Sequence, residues 1–220
     1  IVYAGRVMAN PLRAVLNIRR EELPLSLLMF LYFFLVITTF WILKPIKKPV
    51  FVSFYDRVGF EALGVELSGA QTELVAKVAN MLVAAVAVVV FSALARTLRR
   101  QQLTFVFCGF FAVLFGLFSF FIVEPDAWFV WTLYLGGDLW TTLMVATFFA
   151  FLNDSVRGDT ARRIYGLIVL GGVTGGAFGS TNVRAWIELV SQPQWMWICA
   201  VLTLAIVVVA WAAGRRIPAE

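Results

Sequence analysis

Six long stretches with almost no charged side chains dominate this sequence. A helix needs about 20 apolar residues to cross the hydrocarbon core of a bilayer, and each stretch is close to that length. The stretches are Pro24–Leu43, Val78–Ala95, Gln101–Val123, Ala127–Asn153 (interrupted by Asp138), Ile164–Val183 and Leu189–Gly214. Of the 220 residues, 61% are hydrophobic and 14% are charged, which is too few charges to cover a water-soluble globule. The sequence therefore predicts an all-α membrane protein with six transmembrane helices.

The predicted six-helix bundle covers residues 24–214. Its helices are expected at residues 24–48, 70–98, 101–123, 127–153, 161–189 and 193–214. Residues 1–23 mix aliphatic side chains with arginines and are predicted to form an amphipathic segment on the membrane surface. Residues 215–220 are predicted to be a short tail. Ser68 and Gln71 have the spacing of a capping box, which predicts the start of the second helix.

Basic residues are unevenly distributed between the two sides of the predicted bundle. Twelve of the 18 Lys and Arg residues lie in the termini and near residues 96–100 and 154–163, and six lie on the opposite side. Because basic loops favour the cytoplasmic side, both termini are predicted to be cytoplasmic. The expected location is a bacterial inner membrane or an organelle envelope, with the lipid bilayer as a partner. The basic clusters are short, so the net charge of +5 does not indicate a nucleic-acid partner.

The residue types that most enzymes and metal sites require are scarce. The chain has no histidine, and its two cysteines, Cys108 and Cys199, lie inside apolar stretches. Histidine is the commonest metal ligand and the usual general base near neutral pH. Neither a nucleophile–base pair nor a metal-binding cluster is recognisable. The sequence therefore predicts no enzyme, no metal and no cofactor.

All four lysines of the chain fall on the predicted outer side. They are Lys44, Lys47, Lys48 and Lys77. The first three are spaced i, i+3, i+4 and share one face of a helix, while Pro45 and Pro49 are expected to kink or end that helix. In one interpretation the lysines extend to the lipid headgroups. In the other they line a polar cavity and bind a phosphate or carboxylate ligand.

Asp138 is the charged residue within the fourth predicted span, about half-way across. A carboxylate at that depth costs several kcal/mol unless it is paired, protonated or facing water. We predict an ion or proton site, or a partner for an intramembrane cation such as Lys77. The alternative is a neutral acid that forms a hydrogen bond between helices. Gly136 and Gly137 could also break the helix and place Asp138 on a cavity wall.

Two further groups of residues lie around the fifth span. Glycines spaced by four residues form two adjacent rows typical of close helix packing: Gly171, Gly172, Gly175, Gly176 and Gly179. Polar and charged side chains flank the inner ends of spans four and five: Asn153, Asp154, Arg162 and Arg163. One interpretation is that the second group forms a network that latches one conformation. The other is that its arginines only mark membrane topology.

Three motifs of this sequence occur together: ILKPIKKPVFV, GAQTELVAKV and AFLNDSVRGDTARRIYGLIVLGGVTGGAFGS. In this combination the chain resembles, over roughly residues 20–185, the nucleotide transporters of plastids and intracellular bacteria. These are the ATP/ADP translocases, distant members of the major facilitator superfamily. By this resemblance Lys47 and Lys77 correspond to two lysines that would bind the phosphate groups of a nucleotide. Pro45 and Lys48 depart from the family's pattern, which has acidic residues in this motif.

The resemblance also bears on the number of helices. Major facilitators have two six-helix halves, so this chain is expected to be the N-terminal half of such a fold. It would exchange ATP/ADP or another organic anion by alternating access, together with a second six-helix half or a second copy, and Asp138 would tune charge or couple an ion. The alternative is a non-transporting half-facilitator that is a structural or accessory subunit, or a membrane anchor, of a complex with other membrane subunits.

Overall fold

The computed structural model of the chain describes residues 19–62, 64–156 and 158–216, without the side chains of residues 159 and 162. Its helices are α1 (Leu23–Val58), α2 (Gly69–Thr97), α3 (Arg100–Phe121), α4 (Ala127–Ser155), α5 (Gly158–Trp186) and α6 (Gln192–Gly214). All six are long and apolar enough to cross a membrane, which confirms the predicted multi-pass helical architecture. The predicted surface segment falls mainly on residues 1–18, outside the described residues, as does most of the predicted tail.

Helix α1 is longer than predicted, because it continues through Pro45 and Pro49 to Val58. Each proline removes a backbone donor from the helix, which is why an end at residue 48 was expected. Aromatic packing beyond the prolines offsets this loss. Phe51 and Tyr55 are buried against α4, where the indole Nε1 of Trp131 donates a hydrogen bond to the hydroxyl of Tyr55 at 2.6 Å. With 36 residues, α1 rises about 54 Å and is longer than the hydrocarbon core.

A short β-hairpin that the sequence analysis did not predict follows α1. Strand β1 (Phe60–Ala62) pairs antiparallel with strand β2 (Val65–Leu67). Gly59, at the end of α1, has a φ of 75°, a left-handed conformation that favours glycine and turns the chain out of the helix. The hairpin leads to Ser68, which caps α2 in the predicted capping box with Gln71.

Helix α1 is the centre of the bundle, and α2 lies at its edge. Helix α1 packs against α5, α4 and α6, and α3 packs against α6 and α4. The core between these helices includes the fully buried side chains of Tyr32, Phe115, Trp140 and Phe148. In α2, 6% of the most apolar stretch is buried, against 33–50% in the other five helices. The exposed apolar face of α2 is consequently available to lipid or to another membrane protein.

The glycine rows of α5 face α1. Cβ atoms added at Gly171, Gly175 and Gly179 would lie 2.7, 2.5 and 2.8 Å from backbone oxygens of α1, those of Phe30, Phe34 and Thr38. In the neighbouring row, Gly172 and Gly176 lie against the side chains of Phe33 and Trp41. Because the residue numbers of the contacting positions increase in the same direction along both helices, α1 and α5 run parallel. Their backbones approach so closely that no larger side chain fits between them.

Candidate functional site

Lys47 of α1 and Asp138 of α4 form an ion pair between the two helices. The Lys47 side chain is 7% exposed and that of Asp138 is 28% exposed. The Lys47 ammonium also donates to the carbonyl oxygen of Tyr134 at 3.4 Å and lies 4.7 Å from the centre of the Tyr134 ring. The cation considered as a partner for Asp138 was Lys77, whereas the structure places Lys47 there. The pair fixes the position of α1 against α4.

Gly137 makes room for this ion pair. A Cβ at that position would lie 2.8 Å from Cδ of Lys47, so a larger residue would push the lysine stem away from α4. Helix α4 is continuous from Ala127 to Ser155. The helix break considered at Gly136 and Gly137 is therefore absent. The lack of a side chain at Gly137 allows Lys47 to approach α4 and does not change the direction of the backbone.

Glu73 of α2 connects two further lysines to the pair. Its carboxylate lies 3.0 Å from the ammonium of Lys48 and 3.2 Å from that of Lys77. It also accepts a hydrogen bond from the hydroxyl of Tyr134 at 3.3 Å. The side chain of Glu73 is 8% exposed, whereas Lys48 and Lys77 are each 55% exposed. Because Tyr134 contacts both Glu73 and Lys47, one network joins α1, α2 and α4.

We call this network the lysine–carboxylate cluster; it consists of Lys47, Lys48, Glu73, Lys77, Tyr134 and Asp138. With its acids and bases ionised, it has three positive and two negative charges. The surplus cation lies at the exposed edge, where Lys48 and Lys77 are accessible. An anion that approaches this edge meets two ammonium groups whose shared counter-ion is a single buried carboxylate.

The cluster lies just beyond the end of the uncharged run of α1. Lys47 follows the end of the uncharged run Pro24–Leu43 of α1. Asp138 is near the middle of α4, but α4 has 29 residues and rises about 44 Å, which exceeds the hydrocarbon thickness of about 30 Å. Asp138 contacts Lys47, and its depth about half-way across the membrane stays a prediction.

Lys44, the fourth predicted site lysine, lies apart from the cluster. Its ammonium is 5.0 Å from the ring of Trp41 and 5.7 Å from that of Phe40. It borders a groove between α1 and α5. Residues on one face of a helix can contact different neighbouring helices. Lys44, Lys47 and Lys48 share one face of α1, but this spacing did not bring Lys44 into the cluster.

Two members of the cluster, Glu73 and Tyr134, were missed as candidate residues. Both stand four residues before a charged residue that was singled out, Glu73 before Lys77 and Tyr134 before Asp138. The i,i+4 spacing on a helix is the local signal that would have identified them. No i,i+4 spacing indicates the contact between Glu73 and Lys48, because this contact depends on the hairpin, which was not predicted.

At the opposite end of α1, Glu22 accepts hydrogen bonds from α5. The Arg163 guanidinium donates to its carboxylate at 2.5 and 3.2 Å, and the Thr160 hydroxyl donates at 3.0 Å. This pair joins the N-terminal ends of α1 and α5. Glu22 was not singled out from the sequence, because some 140 residues separate it from these partners.

The described side chains of the predicted latch occupy different surroundings. Asn153 and Asp154 are exposed at the end of α4, and the side chain of Arg162 lies outside the described residues. Arg163 binds Glu22. The ion pair that the structure describes for Arg163 therefore connects the N-terminal ends of α5 and α1.

The Glu22–Arg163 pair predicts a dependence of stability on pH. Hydrogen bonds from Arg163 lower the pKa of the Glu22 carboxyl from 4.5 to about 2. Because the folded pKa is below the unfolded one, this stabilisation is complete above pH 4.5 and is lost as the pH falls towards 2. We expect the free energy of unfolding in micelles to fall more steeply over this range in the wild type than in Glu22→Gln. The exposed Glu21→Gln is the matched control. Identical pH profiles for the wild type and Glu22→Gln would contradict the expectation.

Within the part of the chain that the structure describes, no group of three or more Asp, Glu or Cys side chains is placed to hold a metal ion. Comparisons with family models, curated proteins and solved structures give no match to this chain. The geometry of the lysine–carboxylate cluster and the sequence motifs are therefore the two grounds for a function.

Proposed function

We propose that the chain is the N-terminal half of a membrane carrier that exchanges ATP and ADP, or another organic anion, by alternating access. The observation that carries this proposal is the convergence of Lys47, Lys48 and Lys77 on one cluster with a surplus positive charge. Ammonium groups suit phosphate or carboxylate ligands without a fixed planar geometry. The motif resemblance independently assigns Lys47 and Lys77 to nucleotide phosphates.

Exchange of ion-pair partners is the proposed binding mechanism. Without substrate, Glu73 neutralises Lys48 and Lys77, and Asp138 neutralises Lys47. A phosphate group competes for these ammonium groups and releases the carboxylates. The present pairs connect α1 to α2 and α1 to α4, so a change of partner alters the contacts between helices. Substrate binding is thereby coupled to helix movement, as alternating access requires.

A non-transporting accessory subunit or anchor is the second candidate function. The exposed apolar face of α2 favours it, because a partner membrane subunit could cover this face. The carboxylates of the cluster also favour an accessory role. They neutralise most of the positive charge of the cluster and so stabilise the contacts among α1, α2 and α4. In this case the cluster has a structural role.

Uptake of radiolabelled ATP or ADP into proteoliposomes that contain this half together with its second six-helix half or a second copy tests the carrier proposal. Lys47→Ala and Lys77→Ala are each expected to reduce uptake at least about tenfold, because a charge-assisted contact with phosphate contributes about 1.5–3 kcal/mol. Arg57→Ala is the matched control, because Arg57 is an exposed cation of α1 outside the cluster. Uptake unchanged by both lysine substitutions would contradict the site. A folded protein without saturable uptake would favour the accessory subunit.

A further inference from the structure

A groove between α1 and α5 adjoins the lysine–carboxylate cluster, with which it shares Lys48. Its volume is about 430 Å³, and its apolar walls are Trp41, Pro45, Pro49, Val183 and Ile187. Lys44, Lys48 and Arg184 stand at its edges, and all three are exposed. Lys48 is paired with Glu73. Among the described residues, Lys44 and Arg184 have no carboxylate within 4.0 Å.

Lys44 and Arg184 occupy the same level of the bundle. Each directly follows an uncharged run, Pro24–Leu43 in α1 and Ile164–Val183 in α5. A run of this length rises about 30 Å as a helix, which is the thickness of the hydrocarbon core. The glycine contacts place these two runs side by side and parallel. Both cations therefore lie where the hydrocarbon layer gives way to the headgroups.

We propose that this groove binds an anionic phospholipid of the surrounding bilayer. Its phosphodiester would lie between Lys44 and Arg184, and one acyl chain would lie along the apolar walls. A single cation at the membrane boundary is ordinary. Two cations that have no carboxylate partner among the described residues, from different helices and beside one apolar recess, match a ligand with an anionic head and an apolar tail. A free phosphate would bind the cations but leave the walls of the groove uncovered.

The position of the groove gives the lipid a structural role. It spans the contact between α1 and α5 at the end opposite to the Glu22–Arg163 pair. A bound phosphodiester would connect the two helices at this end, as the ion pair does at the other. The site does not depend on the proposed carrier function, because neither Lys44 nor Arg184 belongs to the lysine–carboxylate cluster.

Native mass spectrometry of the detergent-purified protein tests this site. Titration with phosphatidylglycerol is expected to show saturable binding that is stronger than binding of phosphatidylcholine with the same acyl chains. The double variant Lys44→Gln/Arg184→Gln is expected to bind phosphatidylglycerol roughly tenfold more weakly. Arg57→Gln, which removes one exposed cation outside the groove, should retain wild-type binding. Inorganic phosphate should not displace the lipid.

Three results would overturn the proposal. The first is equal affinity of the wild type and the double variant for phosphatidylglycerol. The second is equal affinity of the wild type for phosphatidylglycerol and phosphatidylcholine. The third is displacement of the lipid by inorganic phosphate, which would indicate a site for soluble anions. The charge-conserving variant Lys44→Arg/Arg184→Lys provides a second test if the glutamine variant does not fold. It should retain the preference for phosphatidylglycerol, and loss of that preference in a folded protein would also contradict the site.

Discussion

Replacing Asp138 with alanine is expected to lower the free energy of unfolding by about 3 kcal/mol, the cost typical of removing one partner of a buried ion pair. The substitution leaves the Lys47 ammonium, on a side chain that is 7% exposed, without its carboxylate. Tyr134 offers this ammonium a carbonyl oxygen at 3.4 Å and the face of its ring, and neither has a full negative charge. Denaturant titration of the protein in lipid nanodiscs measures the loss.

Two further variants separate the ion pair from a general effect of losing an acid. Lys47→Met/Asp138→Leu is expected to recover most of the stability, because it removes both charges and retains apolar volume. Asp154→Ala changes an exposed acid at the end of the same helix and should alter stability by no more than about 0.5 kcal/mol. A loss in Asp138→Ala as small as that in Asp154→Ala, or no recovery in the double variant, would show that the pair does not stabilise the contact between α1 and α4.

Replacing Gly175 with leucine is expected to destabilise the bundle by about 3 kcal/mol or more, the upper range for overpacking a core. A Cβ at this position would lie 2.5 Å from the carbonyl oxygen and 3.1 Å from Cα of Phe34. These are backbone atoms that cannot rotate away, so α1 and α5 must separate. The hydroxyl of Thr38 then also loses its hydrogen bond to the carbonyl of Gly175. The folded fraction in detergent, measured by size exclusion and thermal unfolding, reports the effect.

Gly109→Leu is the matched control for this substitution. Gly109 also lies inside an apolar helix, α3, but a Cβ there would meet no atom within 4 Å. Removing glycine from the interior of a helix favours the helix by up to about 1 kcal/mol, so this variant should be neutral or slightly stabilised. Equal destabilisation by the two substitutions would contradict a specific close contact between α1 and α5.

The number and approximate positions of the helices could be predicted from the sequence, because they depend on properties local to each segment. Uncharged runs of about 20 residues define membrane spans without reference to the rest of the chain. The Ser68–Gln71 capping box is equally local, and the structure confirms it. The rows of glycines predicted close packing, but the partner helix α1 could not be deduced, since a small-residue face is compatible with any neighbour.

The details of the candidate site depended on distant contacts and were predicted only in part. Lys47 and Asp138 were singled out individually, yet their pairing depends on the packing of α1 against α4. The packing of α1 against α4 extends beyond two prolines, which local propensity opposes, because Phe51 and Tyr55 contact Trp131. Glu73 reaches Lys48 because the hairpin returns α2 to the side of α1.

Competition between a substrate anion and the carboxylates for Lys47, Lys48 and Lys77 is the centre of the proposed mechanism. The concentration dependence of ATP uptake in Glu73→Gln proteoliposomes, beside the wild type, measures this competition most directly. Because the substitution frees two ammonium groups from their shared counter-ion, the mechanism predicts a lower KM for ATP in Glu73→Gln and a higher one in Lys77→Ala. An unchanged KM in both variants, or no saturable uptake by the folded wild-type protein assembled with its second half or second copy, would contradict it.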